Sequence, residues 1–336
     1  MQYIHGHIVA VPSDSFVAYP SQMGARAWSA AGLAVILAAG CTSSPWQAVP
    51  LPDGLEPASL AATAEGVLVG GKAGTGPALL RLTGTTPSES LDLRPAEPAA
   101  AEATLISVSV ARDEVSAIGR VFGGAHSNPR LTIWDGTDPP GTLTSRPQEF
   151  FTFGGHDAGP LLGILDVAGE PVIVGSRATT EGGEAVLWTR TGTTWEKHAG
   201  LGAAVQSDAR RVLGFAAAAQ AGTQVLIGGD EVSLAGELQQ RPAVWLGSVS
   251  GSWQQLTPAV PSALAPVGGQ LSRVTSLACS RLDNCWAAGW TAGRPVAWSV
   301  DAAGATVGDP ELLPGDAPRD GDPEALVTML GETPPG

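Results

Sequence analysis

Short apolar runs separated by polar, glycine-rich segments recur along most of this chain. In five units one run ends in glycine, at residues 67–70, 116–119, 172–175, 225–228 and 286–289. A second run follows in each unit, at residues 77–80, 131–134, 185–188, 242–245 and 295–298. Both runs are almost continuously apolar, without clean alternation, and this pattern predicts strands that are buried on both faces.

Each unit contains room for four short strands. A further apolar run precedes most of the Gly-ended runs, and an aromatic-led run follows the second run, as at Trp195 and Trp253. Four strands in a unit of about 50 residues are typical of a β-propeller blade. We therefore predict an all-β fold, a propeller of four-stranded blades over residues 58–313, followed by a tail over 314–336. Five blades are recognised. Weaker stretches at 97–104, 150–157 and 309–336 leave open a sixth or a seventh blade.

Aromatic residues suggest how the blades pack. The recurrent set at the ends of the second runs predicts packing between blades and consists of Trp134, Trp188, Trp245 and Trp298. Three of the six phenylalanines lie in residues 150–153, which we expect to form an outer strand. Residues 46–50 resemble the Trp-led strands and are expected to pair with the last blade and close the ring.

Composition supports this fold and excludes some functions. The 44 glycines and 27 prolines among 336 residues disfavour long helices, while 43% apolar residues suffice for a core. The 18 Lys and Arg against 32 Asp and Glu give a net charge of −14, which argues against nucleic acid as a partner. No phosphate-binding loop, nucleophile elbow or His-Glu-x-x-His motif occurs, so we predict neither cofactor nor metal.

An export signal is predicted over residues 23–41. Arg26 provides a short positive region, residues 30–39 are uncharged and apolar, and small residues lead into Cys41. The apolar run is too short to span a bilayer comfortably, which favours a cleaved signal. Residues 37–41, LAAGC, resemble a bacterial lipobox, with Ala38 where Leu is commoner. That resemblance implies a diacylated Cys41 as the mature N-terminus; an ordinary secretory signal with an incidental cysteine is the alternative.

The segments around this signal complete the predicted organisation. Residues 1–22 do not look like the start of a signal, which suggests that translation begins at Met23. Residues 42–57 form a Pro-rich spacer that would hold a domain away from a membrane. We expect a lipid-anchored protein, most simply a monomer, on the outer face of the cytoplasmic membrane.

The two remaining cysteines, Cys279 and Cys285, predict a structural disulfide. They flank a five-residue segment that contains the turn pair Asp283-Asn284, between two strands of the fifth unit. A hairpin there brings the sulfurs within bridging distance, and an exported protein favours the oxidised state. A redox or metal role is the rival interpretation, but the spacing matches neither a CxxC motif nor a zinc site.

The fifth unit also carries a family resemblance. Residues 279–289, CSRLDNCWAAG, followed by RPVAW at 294–298, are similar to repeats in exported actinobacterial propellers of the BNR or sialidase-like type. The Asp-box of that family survives only as remnants, for example RTGTTW at 190–195, which lacks the aspartate. A sialidase needs a tyrosine nucleophile, and both tyrosines precede the predicted cleavage site, so the resemblance implies the fold without that chemistry.

Candidate binding residues lie in the loops between the Gly-ended runs and the Trp-ended runs. Arg130, Arg241 and Arg294 recur just before the Trp-ended strand. They predict either a repeated ion pair or a ring of guanidinium groups that faces an anionic ligand. The two longest loops add His126, Asp230 and Glu231 as candidates.

Two functions remain open at this point. The first is a non-catalytic envelope lipoprotein whose propeller binds a protein or glycan partner on its loops. The second is an extracellular glycoside hydrolase that uses two carboxylates near the axis. No spacing among the acidic residues selects a pair, so the sequence names no catalytic residue.

Overall fold

A computed structural model describes residues 8–11, 15–18, 51–63, 66–83, 86–112, 114–122, 129–137, 141–260, 272–292, 294–312 and 327–329. The predictions for Cys41, for residues 46–50 and for His126 lie outside these residues. Within them, no helix has the length and apolar character needed to cross a bilayer.

The strands are numbered along the chain, and those nearest its two ends share a small sheet. In this sheet β1 (Ile8–Val11) pairs antiparallel with β2 (Ser15–Ala18) and parallel with β24 (Val327–Met329). The sheet therefore includes part of the segment that we predicted to lie upstream of the true start.

The described residues between these ends form five antiparallel, four-stranded blades, which confirms the predicted propeller. Blade 1 consists of β3 (Leu55–Thr63), β4 (Gly66–Ala73), β5 (Gly76–Thr83) and β6 (Thr86–Ser90). Blade 2 consists of β8 (Thr104–Ala111), β9 (Glu114–Val121), β10 (Arg130–Thr137) and β11 (Thr142–Arg146), with β7 (Asp92–Arg94) added in parallel at its outer edge.

The other three blades follow the same strand order. Blade 3 consists of β12 (Ala158–Val167), β13 (Glu170–Thr179), β14 (Gly182–Thr191) and β15 (Thr194–His198). Blade 4 consists of β16 (Arg211–Ala221), β17 (Gln224–Ser233), β18 (Gln239–Gly247) and β19 (Gln254–Leu256). Blade 5 consists of β20 (Arg273–Arg281), β21 (Asn284–Thr291), β22 (Arg294–Asp301) and β23 (Thr306–Leu312).

Short helices occur in the connections between blades. They are α1 (Pro98–Ala101), α2 (Phe150–Phe153) and a single 3-10 turn, Ala203–Val205. The prediction of an outer strand at residues 150–153 is therefore wrong. Phe153 is buried against Trp188 and Trp195 with ring centroids 5.5 and 6.3 Å away, so this one side chain of the helix fills the interface between blades 2 and 3. Of the other two weak stretches, 97–104 contains α1, and the described part of 309–336 contains the end of β23 and β24.

A β-bulge in the first strand of every blade lies opposite a glycine in the second strand. The pairing skips one residue of each first strand, namely Ala58, Ile106, Leu162, Ala216 and Thr275. The residue before each bulge pairs with Gly71, Gly119, Gly175, Gly229 and Gly289, respectively. The sequence repeat therefore reflects a repeated backbone device.

Close backbone approach explains why these positions are glycines. A Cβ on Gly229 or Gly289 would lie 1.9 or 2.0 Å from a carbonyl oxygen of the first strand. At Gly119 the nearest atom would be Thr132 Oγ1, at 2.3 Å. In units 1 and 4 the sequence alignment chose Gly70 and Gly228, whereas the register selects the second glycine of each pair.

The first strands of successive blades lie against each other and form the inner wall of the propeller. Ser59 Oγ of blade 1 donates a hydrogen bond to Leu105 O of blade 2, at 3.0 Å. The backbone N–H of Ile164 in blade 3 donates to Ser107 Oγ of blade 2, also at 3.0 Å. Each of the two serines directly follows a bulge, so the bulges place small side chains where inner strands meet.

Hydrophobic clusters join successive blades through the third-strand tryptophans, as predicted. Trp134 packs with residues of blade 1, and Trp188 packs with residues of blade 2. Trp245 and Trp298 do the same with blades 3 and 4. All four side chains are at most 2% exposed, so their role is packing between blades.

The predicted disulfide is confirmed. Cys279 and Cys285 face each other across β20 and β21 and are bonded. Their loop is short, and the chain-entropy model gives such a bridge about 2 kcal/mol of stabilisation.

Replacing Gly289 by Ala is expected to lower the free energy of unfolding by about 2–3 kcal/mol, because the new methyl group meets Arg273 O. Gly163→Ala is the matched control, since its Cβ would lie 3.4 Å from the nearest atom, Ser107 Oγ. Urea unfolding of both variants measures the difference. Equal stability of the two variants would show that the bulge does not require glycine.

Candidate ligand-binding face

The two ends of the propeller carry different connections. Because strands alternate in direction, the turns between second and third strands lie at the same end as the connections between blades. We call this end the linker face. The opposite end, the hairpin face, carries the turns between first and second strands and between third and fourth strands.

The three predicted arginines occupy one structural position on the linker face. Arg130 pairs with Val121, Arg241 with Glu231 and Arg294 with Thr291, in each case two residues after the bulge-facing glycine. Each is exposed and precedes the buried Trp of its strand by four residues, so both side chains lie on the same side of the blade. The arginines therefore lie where neighbouring blades meet at the linker face.

Their charges are not neutralised by acidic side chains in the part of the chain that the structure describes. There, Arg130 and Arg294 have neither an ion pair nor a hydrogen bond, and Arg241 donates only to Gln239 Oε1, at 2.7 Å. Blade 3 has an ion pair at the same position. Glu184 occupies the equivalent third-strand position and binds Arg177 opposite it at 2.7 Å. A repeated ion pair therefore does not account for the three arginines.

Asp230 and Glu231 do not form one site, because adjacent strand residues point to opposite sides. Asp230, 7% exposed, lies 3.0 Å from Arg273 Nε of blade 5 and accepts a hydrogen bond from Gln240. The Arg273 Nε–H does not point at this oxygen, so the contact is an ion pair without a hydrogen bond. Glu231 instead binds Arg211 of its own blade at 3.2 Å.

Burial controls the ionisation of Asp230. Desolvation raises the pKa of its carboxyl group, and this effect outweighs the opposing influence of the Arg273 charge and the Gln240 hydrogen bond. The acidic residue thus belongs to a contact between blades 4 and 5 and does not present a free carboxylate to a ligand.

The inner wall lacks a close pair of carboxylates. In the described first strands the acidic residues are Glu56 and Asp166. Glu56 lies two residues before its bulge and Asp166 four residues after its own. Six residues of strand correspond to about 20 Å along the axis, whereas two catalytic carboxylates of a glycosidase lie within about 10 Å.

Exposed apolar side chains are a second feature of the linker face. Five large apolar side chains are exposed there: Phe122 at 70%, Phe150 at 72%, Phe151 at 77%, Leu234 at 42% and Leu238 at 71%. On the hairpin face, the exposed counterpart among the described residues is Leu282, at 39%. A short apolar run predicts a strand but does not reveal which of its side chains stay outside the core.

The described residues contain no group of three or more His, Cys, Asp or Glu side chains arranged to hold a metal ion.

No protein-family model matches the sequence, and no curated protein is significantly similar to it. The solved structures that resemble its fold include the following three. TolB from Acinetobacter baumannii has 11% identity and a TM-score of 0.44, covering 76% of this chain and 57% of TolB. Kuenenia stuttgartiensis hydrazine synthase has 7% identity and a TM-score of 0.43, covering 74% and 78%. A thermostable family-43 glycoside hydrolase has 8% identity and a TM-score of 0.45, covering 81% and 96%.

The raised pKa of Asp230 predicts a pH dependence. Its carboxyl group binds a proton more readily in the folded state, so its contribution to stability is present below pH 3.8 and is lost as the pH rises through the folded pKa. The stability of the wild type relative to Asp230→Asn should therefore fall between pH 3.8 and neutral pH, measured by urea unfolding.

Asp208→Asn provides a control of opposite sign. The backbone N–H of Arg210 lowers the pKa of the exposed Asp208 carboxyl group. Stability of the wild type relative to this variant should rise with pH, in the range below pH 3.8. A constant difference between the wild type and Asp230→Asn across the whole range would contradict the assignment.

Proposed function

We propose that this protein is a non-catalytic, lipid-anchored binding module of the cell envelope and that its linker face binds an anionic partner. The observation that carries this proposal is the placement of Arg130, Arg241 and Arg294 at one register position, exposed and without acidic partners among the described residues. A guanidinium group presents a planar set of donors that fits carboxylate or phosphate.

The charge of the whole chain supports a role in recognition. With a net charge of −14, the chain as a whole repels an anion, and exposed arginines outside ion pairs on one face give it a place to approach. Surface arginines outside ion pairs contribute little to folding, so their repetition is better explained by binding than by stability.

A binding role has more support than the alternative of a glycoside hydrolase. The described inner strands hold Glu56 and Asp166 far apart along the axis. Asp230, the acidic residue with a raised pKa, is engaged by Arg273 and Gln240. A rigid ring of blades that carries variable loops is well suited to binding without catalysis.

The proposed location in the cell rests on the sequence. Cleavage before Cys41 and diacylation would hold the propeller on the outer face of the cytoplasmic membrane, with residues 42–57 as a spacer. The first blade strand begins at Leu55, so the last three residues of this segment, 55–57, already belong to the propeller.

Binding to fluorescent poly-L-glutamate tests the anionic site. We expect binding at low salt that weakens as ionic strength rises, because the contacts are between exposed charges. Arg130→Gln/Arg294→Gln should weaken it about tenfold. The matched control is Arg112→Gln/Arg281→Gln, which makes the same charge change on the hairpin face and should retain most of the affinity. Equal loss in both double variants would reduce the effect to net charge and reject the site.

The anchor is tested by labelling cells with an alkyne fatty acid and separating the membranes. The wild-type protein should carry the label and sediment with the membranes, whereas Cys41→Ser should lose both the label and the membrane association. A labelled Cys41→Ser variant, or an unlabelled wild type, would reject lipidation at this cysteine.

A further inference from the structure

We infer that the blade 2 end of the linker face docks an acidic protein segment that also carries apolar side chains. This surface, the aromatic corner, comprises Arg120, Phe122, Phe150 and Phe151. The inference rests on the proposed function, because it assigns a chemical class to the anionic partner.

The connection after β11 holds two aromatic rings out of the core. Phe153 is buried among the side chains between blades 2 and 3, and Trp188 Nε1 donates to Thr152 O at 2.8 Å. These two contacts hold α2 against the core between blades 2 and 3. Phe150 and Phe151 then project from it, 72% and 77% exposed, in an edge-to-face pair with centroids 5.1 Å apart.

Arg120 adds positive charge on the same side of blade 2. The Arg120 guanidinium lies over the Phe122 ring at 4.9 Å, and Phe122 is 70% exposed. Both residues lie on the same side of β9 as Ile118, which shares an apolar cluster with Phe153 of α2. Among the described residues Arg120 has no ion pair, so its guanidinium presents positive charge beside an exposed ring.

This combination fits a protein segment better than a polysaccharide. A sugar ring stacks on a flat aromatic surface and needs hydrogen-bonding groups around it, whereas an edge-to-face pair of phenylalanines offers a corner for another apolar side chain. Exposed apolar residues next to an arginine without an ion pair are complementary to a segment with both apolar and acidic residues. Aromatic and Arg side chains are also the types that dominate the binding energy of protein interfaces.

Two synthetic peptides of equal charge test the inference by fluorescence anisotropy. One alternates Glu with Leu and Phe, and the other replaces each Leu and Phe by Ser. The wild type should bind the apolar peptide about tenfold more tightly. Phe150→Ser/Phe151→Ser should abolish this preference, whereas Leu282→Ser, which removes an exposed apolar side chain from the hairpin face, should keep it. Thermal melting of the three proteins checks that the fold is intact.

Each outcome separates this inference from the proposed function. Equal affinity for the two peptides, or an unchanged preference in Phe150→Ser/Phe151→Ser, overturns the docking surface. If both peptides bind equally and Arg130→Gln/Arg294→Gln weakens them, the anionic site stands without the aromatic corner. Tighter binding of polygalacturonate than of either peptide, lost in the phenylalanine variant, assigns the corner to a glycan instead. No binding of either peptide at millimolar concentration rejects both proposals.

Discussion

One backbone feature organises this propeller: in each blade the bulged first strand pairs with a glycine of the second strand at the bulge. At Gly229 and Gly289 a first-strand carbonyl oxygen occupies the space where a Cβ would stand. The extra residue bends the inner strand, and the small residue that follows it lies where inner strands meet. Ser59 and Ser107 use this position to join neighbouring blades by hydrogen bonds.

The same register fixes the chemistry of the linker face. Once the glycine is placed, the residue two positions later and its third-strand partner must lie at the end of the blade, where Arg130, Arg241 and Arg294 are found. The third-strand tryptophan, four residues further along, anchors each strand in the core between blades. The three arginines therefore stand on strands that are fixed in the core, and α2 is held against blade 3 by Trp188.

Much of this architecture could be predicted from the sequence because buried strands impose a simple pattern. Continuous apolar runs ending in glycine or Trp identified the blades, and a short spacing with a turn identified the Cys279–Cys285 bridge. Two predictions failed for physical reasons. The apolar run does not distinguish Gly70 from Gly71, because only the strand register shows which of them faces the bulge. Residues 150–153 form a short helix, from which Phe153 alone is buried between blades.

The candidate site was less accessible to prediction. The recurrence of the arginines was visible, but whether each had an acidic partner depends on tertiary contacts, as Glu184 and Arg177 illustrate. Likewise, the separation of Asp230 from Glu231 follows from strand alternation and from packing against Arg273, which lies in another blade. Exposed phenylalanines cannot be recognised from a run that also supplies a buried one.

The central claim is that an anion is bound at the linker face by residues at one repeated register position. Hydrogen–deuterium exchange of the protein with and without poly-L-glutamate tests it directly. The account predicts slower exchange at the linker-face ends of β10, β18 and β22, with the hairpin face unchanged. Protection confined to the hairpin face, or no change at those three strand ends under conditions where binding is saturated, would contradict it.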